Sequence, residues 1–153
     1  MTPEPSRTLA REARWVWLAE QVLGWGVAVV IAMVVAAQID SGWATLLRAV
    51  PIAGLVVCTP LVPWLRWRRW RWDVRPEAID IRHGTVTIRR TLVPMRRVQH
   101  VDTRRGVFEQ AFELATVVVH TAAGSHEIPL LRLADAAEVR DRIAELARTA
   151  DEP

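Results

Sequence analysis

The chain predicts a membrane α-helical hairpin of two transmembrane helices, followed by an all-β barrel capped by a C-terminal α-helix. Three observations carry that prediction. Two apolar runs without a single charge lie within the first 65 residues. From Trp70 onward the hydrophobic period falls to two, the period of half-buried strands. The last twenty residues then carry an apolar stripe at helical spacing.

The first run, Val22 to Ile39, holds one strongly polar residue, Gln38. At 1.5 Å per residue it reaches roughly 27 Å, close to the hydrocarbon thickness of a bilayer. A short link, Asp40-Ser41-Gly42, leads toward the second run, Ala49 to Leu65, which contains Pro51, Pro60 and Pro63. Transmembrane helices accept interior proline more readily than soluble ones do. The organisation that follows is an N-terminal segment over 1–19, a hairpin over 20–66 with spans near 22–39 and 49–65, a domain over 67–150 and a tail over 151–153.

Flanking charge sets the orientation. Arg7, Arg11 and Arg14 precede the first span, and Arg66, Arg68, Arg69, Arg71 and Arg75 follow the second. The connection offers Asp40 and Arg48, whose guanidinium can snorkel to the outer interface. The positive-inside rule places both termini in the cytoplasm of a multi-pass protein of the cell (inner) membrane. Val35-Ala36-Ala37 resembles a signal-peptidase site, but the leading segment is long and a second span follows almost at once.

Gly24, Ala28, Ala32 and Ala36 recur every four residues, a small-residue stripe that lets another helix approach closely. It packs either against Ala49, Ala53 and Val57 of the second span or against a partner protein. Cys58, the one cysteine, lies in an apolar run and cannot form a disulfide within the chain. All 20 basic residues are Arg, but 17 acids leave a formal charge of only +3, so overall basicity is weak evidence for nucleic acid.

Trp64 to Val74, WLRWRRWRWDV, joins the two halves. Trp64, Trp67 and Trp70 are spaced by three, as on one helical face. Trp70, Trp72 and Val74 are spaced by two, as on a strand. Trp64, Arg66, Trp67, Arg68, Arg69, Trp70, Arg71 and Trp72 therefore form a candidate interface with headgroups and anionic lipid, Trp at the headgroup level and Arg on the cytoplasmic side. The rival reading is a membrane-tethered grip on nucleic acid through the same Trp and Arg residues.

Ile79 and Ile81 alternate with Asp80 and Arg82 and end at His83-Gly84, a hairpin turn signal. Val86 and Ile88 open a strand that runs to Pro94. Arg97 to Arg105 reads as another, with an ambiguous inward face because Val98 and Val101 differ in parity. After Gly106, VFEQAFEL forms a short helical turn. Ala115 to Thr121 is the strongest strand, Ala123-Gly124-Ser125 turns, and His126 to Leu130 returns. In the closing helix Asp135 caps the start, Glu138 and Arg142 pair at i, i+4, and Ala136, Val139, Ile143, Leu146 and Ala147 face the core.

Antiparallel strands closed by one amphipathic helix are the layout of a pleckstrin-homology-like (PH-like) barrel. The chain resembles the bacterial PH domain family of small membrane proteins, the YdbS-like group. The matching pieces are WRRWRWDV, the hairpin IDIRHG–TVTIRR, PMRRVQHVDTRRG, FEQAFELATVVVHTA, HEIPLL and DAAEVRDRIAEL. One position departs: the family usually has Gly before Leu-Ala-Thr, where this chain has Glu113. The resemblance implies a membrane-anchored cytoplasmic PH-like module without established catalysis. It also implies a partner complex with a larger protein carrying several such domains, beside which a homo-oligomer stays open.

No nucleotide loop, CxxC or helical His pair appears, so no cofactor, metal or small-molecule substrate is expected. His100 with Asp102, and His120 with His126, could be imagined around a metal but read as polar strand residues. The first hairpin has Arg75-Pro76-Glu77 in place of a basic pair, which leaves selective phosphoinositide recognition unsupported. Arg82, Arg89, Arg90, Arg96, Arg97, Arg104 and Arg105 either draw the barrel toward anionic lipid, by about 1 kcal/mol per Arg near the surface, or only solvate exposed strand positions and follow the positive-inside rule. The expected function is thus a non-enzymatic, membrane-anchored binding or scaffold module.

Overall fold

The computed structural model describes residues 4–39, 41–85 and 87–151. They fall into two compact units, Arg14–Leu65 and a second that joins Met1–Ala13 to Arg66–Pro153. Each helix of the hairpin is long and apolar enough to cross a bilayer: α1, Ala13–Ala36, and α2, Trp43–Arg69. α2 extends past its apolar run at both ends, while α1 starts well before its run but ends at Ala36, short of Ile39, because hydropathy marks a lipid-compatible stretch and not the helix bounds. Pro51, Pro60 and Pro63 all lie within α2.

In the hairpin unit the ring of Trp25 fills the space over Gly54, leaving no room for a Cβ there. Arg48 donates to the carbonyl of Ala36 at 3.1 Å, satisfying an orphan acceptor at the end of α1 with a cation, the favoured sign there. Only the C-terminal half of the small-residue stripe is covered. Ala32 and Ala36 are buried, Ala28 is half-buried and Gly24 is exposed. The buried positions of α2 include Ala44 and Pro51, while Ala49, Ala53 and Val57 are exposed. Of the two arrangements open to the stripe, packing on those three gains no support from their exposure. Trp25 on Gly54 rotates a different face of α2 inward, because a glycine admits a large ring more closely than an alanine does.

The second unit holds two three-stranded antiparallel sheets. The first comprises β1 (Arg71–Val74), β2 (Ala78–His83) and β3 (Arg89–Pro94) in that order. A 3₁₀ turn, Met95–Arg97, leads to the second, formed by β4 (Val98–Arg104), β5 (Leu114–Thr121) and β6 (Gly124–Arg132). A short helix, α3 (Val107–Ala111), connects β4 to β5, and α4 (Leu133–Asp151) closes the chain. Trp72, Ile79, Ile81 and Val93 from the first sheet are buried, as are Leu114, Val117, Val119 and Ile128 from the second. Leu114 to Val119 is buried on both faces, as a near-continuous apolar strand should be. Ala136, Val139 and Ile143 of α4 are buried as expected, a full Val or Ile side chain contributing roughly 1.5–3 kcal/mol.

Several local expectations are corrected. The strand expected from Val86 starts only at Arg89, and Ile88 is exposed outside it; Val86 itself lies outside the described residues. Gly84 turns the chain at φ +133°, where a Cβ would strike the Thr87 carbonyl, and Arg69 donates to the carbonyl of Thr85. Those constraints hold the connection away from ladder geometry. A register shift between Val98 and His100 accounts for the parity of Val98 and Val101, since a bulge moves one residue to the other face. Asp135 does not cap α4, which begins two residues earlier. The amide of Leu133 donates instead to the carbonyl of Glu113 at 3.2 Å, so the helix starts directly off β6. Arg142 pairs with Glu145 at 3.0 Å rather than with Glu138.

The N-terminal segment continues the first sheet. Arg7 and Trp72 exchange two backbone hydrogen bonds, at 3.1 and 3.0 Å, so a short stretch of chain preceding α1 lies antiparallel beside β1.

Candidate functional site: the membrane-exit segment

The candidate site is the string in which α2 ends and β1 begins. Trp67 donates its indole N–H to the carbonyl of Ala10 at 2.9 Å, and Trp72 donates its own to Thr8 at 3.3 Å. The guanidinium of Arg7 lies 5.3 Å from the Trp72 ring centre, and that of Arg66 lies 6.0 Å from the ring of Trp70, both within cation–π range. Trp70 stacks on His83 with ring centres 4.9 Å apart, and Arg71 donates to the Trp70 carbonyl at 2.7 Å. Trp64 remains half-exposed on α2, and Arg68 and Arg69 are exposed at its end.

These contacts bear on both uses of the string, because headgroups and bases alike need rings left open to them. A grip on single-stranded nucleic acid needs aromatic faces free for bases. Trp70 and Trp72 are 8% and 3% exposed, with their faces against His83 and Arg7. The spacing correctly marks a helix handing over to a strand. It does not reveal that the strand end of the string is core.

Behind it, Asp80 is fully buried although its place in the alternation points it away from the apolar face. Arg90 grips it through Nε and Nη2, the latter at 2.6 Å, and Arg75 lies 3.7 Å away. The two arginines cover the carboxylate and remove its charge from the open sheet face. Other arginines are similarly occupied. Arg82 pairs with Glu4 at 3.1 Å, Arg104 pairs with Glu127 at 3.2 Å, and Arg105 donates to the Leu114 carbonyl. Of the seven barrel arginines named above, Arg89, Arg96 and Arg97 stand exposed with no such pairing described.

The histidines separate into two groups. His100 and His120 face each other across β4 and β5 and share Asp102, at 2.8 and 3.5 Å, on an exposed surface. Among the described residues no group of three or more His, Cys, Asp or Glu is arranged to hold a metal ion. His83, against Trp70, is held below the ordinary histidine range, first by desolvation and then by the nearby charges of Arg89, Arg66 and His126. The Trp70–His83 stack pairs residues 13 apart, and no short-range pattern announces it.

A family model, Bacterial PH domain, matches residues 22–147. The UPF0699 transmembrane protein YdbS of Bacillus subtilis (strain 168) is 34% identical over 157 residues, covering 99% of each chain. The UPF0699 transmembrane protein YdbT of the same organism is 26% identical over 81 residues, which span 53% of this chain but 16% of that protein. No solved structure matches significantly. The matched region takes in both antiparallel sheets and most of the hairpin and of the closing helix, and the chain belongs to the bacterial PH domain family.

Proposed function

We propose that this protein is a non-enzymatic binding module, anchored by its hairpin and presenting its PH-like domain on the cytoplasmic face of the cell membrane to a protein partner or anionic lipid. The observation that carries the reading is the pairing of Arg7 with Trp72. One residue precedes both apolar helices and the other follows them, so a domain containing both requires an even number of crossings. Arg-rich flanks on both outer ends favour the cytoplasmic side. The likeness of half this chain to a small part of YdbT supports a partner of that larger, related kind, with a homo-oligomer as the other arrangement.

Single cysteines placed at Ser6, Ser41 and Thr149 in a Cys58→Ser background test the orientation. A membrane-impermeant maleimide added to intact cells should label Ser41→Cys alone. Labelling of Thr149→Cys from outside would overturn the reading. Crosslinking and co-purification from native membranes then separate a protein partner from lipid alone.

A further inference from the structure

Between the two sheets lies a cleft of about 270 Å³, lined by Trp70, Ile81, His83, Thr91, Ser125, His126 and Glu127. Its charge is one-sided. Arg66 and Arg89 act on His83 from the end of α2 and from β3, and His126 acts on it from β6. The lone acid of the lining, Glu127, is engaged by Arg104 at 3.2 Å. Nδ1 of His83 is shielded from solvent and has no hydrogen-bond partner among the described residues. Two imidazoles and two hydroxyls therefore surround a small space in a positive field, the equipment for holding an oxyanion.

The size and position of the cleft narrow the ligand. Its volume lies just below the usual range for drug-sized ligands, which suits one compact anionic group. Trp70 is the first residue after α2, the second apolar helix, and Arg66 over its ring belongs to the last turn of that helix. Arg69, at the helix end, holds the carbonyl of Thr85 in the connection that follows His83. The lining thus starts where the chain leaves its apolar span, the level at which Trp and Arg meet headgroups. Burial and then the cationic neighbours lower the proton affinity of His83, and an anion seated there would act in the opposite direction.

We infer that this cleft takes the phosphate of an anionic phospholipid headgroup, with His83 and His126 as the recognising side chains. This deepens the membrane-module reading and rests on it. The four histidines allow a direct test on the full chain in uncharged detergent, with ¹⁵N-labelled imidazoles followed by NMR. Dioctanoyl-phosphatidylglycerol should shift His83 and His126 saturably and leave His100 and His120 unmoved. Dioctanoyl-phosphatidylcholine should bind about tenfold more weakly, the equivalent of about 1.4 kcal/mol. His126→Gln and the surface variant Arg89→Gln should each weaken the phosphatidylglycerol response about fivefold or more, equivalent to about 1 kcal/mol or more, with unchanged thermal melts. Equal shifts at all four histidines, or equal binding of the two lipids, would overturn the site. Saturation by inorganic phosphate without any response to phosphatidylglycerol would overturn the lipid assignment. If cysteine labelling gives the proposed topology while the histidines stay silent, the cleft assignment fails and the anchored-module reading stands.

Discussion

Arg7 and Trp72 each donate a backbone N–H to the other's carbonyl, joining residues that stand on opposite sides of the hairpin in sequence. The pairing extends the first sheet by one short edge, and the Arg7 guanidinium packs over the Trp72 ring as well. Backbone and side chain can be tested apart. Arg7→Pro removes the donated N–H and should cost about 1–2 kcal/mol in denaturant melts of the full chain. Arg7→Ala keeps both backbone bonds and should cost less than about 1 kcal/mol, the cation–π share. Equal losses would mean that the side chain alone holds the segment.

Glu113 offers a stabilising change. It sits at φ +54° just beyond Phe112, the C-cap of α3, a left-handed position that favours glycine, and glycine is the residue the family resemblance leads one to expect there. The departure leaves the turn in place and places the strain on a side-chain-bearing residue. Glu113→Gly should raise stability by about 1 kcal/mol, and Glu113→Val should lower it by more than that. Thermal melts of the two variants check this, because helix propensity or surface charge alone would not give opposite signs in that order.

Much of the architecture was legible because it is written in local periods. The strand Leu114–Thr121, the helical turn after Gly106 and the core stripe of α4 all follow from runs of residues close in sequence. What stayed hidden depends on partners far along the chain. Ser6-Arg7-Thr8 has no strand pattern of its own and pairs only because Trp72 offers an open edge. Asp80 alternates outward, yet it is buried by Arg75 and Arg90. His83 reads as a turn residue, and only the fold sets it against Trp70. The spacing of the exit string marks the junction of α2 and β1, but the burial of Trp70 and Trp72 is a tertiary fact.

Asp80 makes its own test of that hidden layer. Its carboxylate has no solvent exposure and is held by a bidentate arginine. Asp80→Ala leaves a void and two arginines without their shared anion, and the expected loss exceeds about 1 kcal/mol. Asp80→Asn preserves shape but not charge and should lie between wild type and Asp80→Ala. In a double-mutant cycle with Arg90→Leu, the loss from Asp80→Ala should shrink, since the second change removes the more closely bound of the two cations. Simple additivity would show that the pair is not coupled.

The contact between Glu12 and Arg132 predicts a pH effect with a definite sign. Glu12, at the start of α1, accepts from Arg132 at 2.7 Å, and that bond is the main reason its carboxyl titrates below the ordinary value of 4.5. The folded state therefore binds a proton less readily than the unfolded chain. The resulting stability is fully present above about pH 4.5 and is lost as pH falls through the lowered folded value. Both side chains are partly exposed, so the contribution is small and should weaken further in high salt. Thermal melts from pH 6 to pH 3 should show Glu12→Gln less stable than the wild-type chain at the upper end, with the two curves converging at the lower. A constant offset across that range would mean that Glu12 acts through packing and not through its charge.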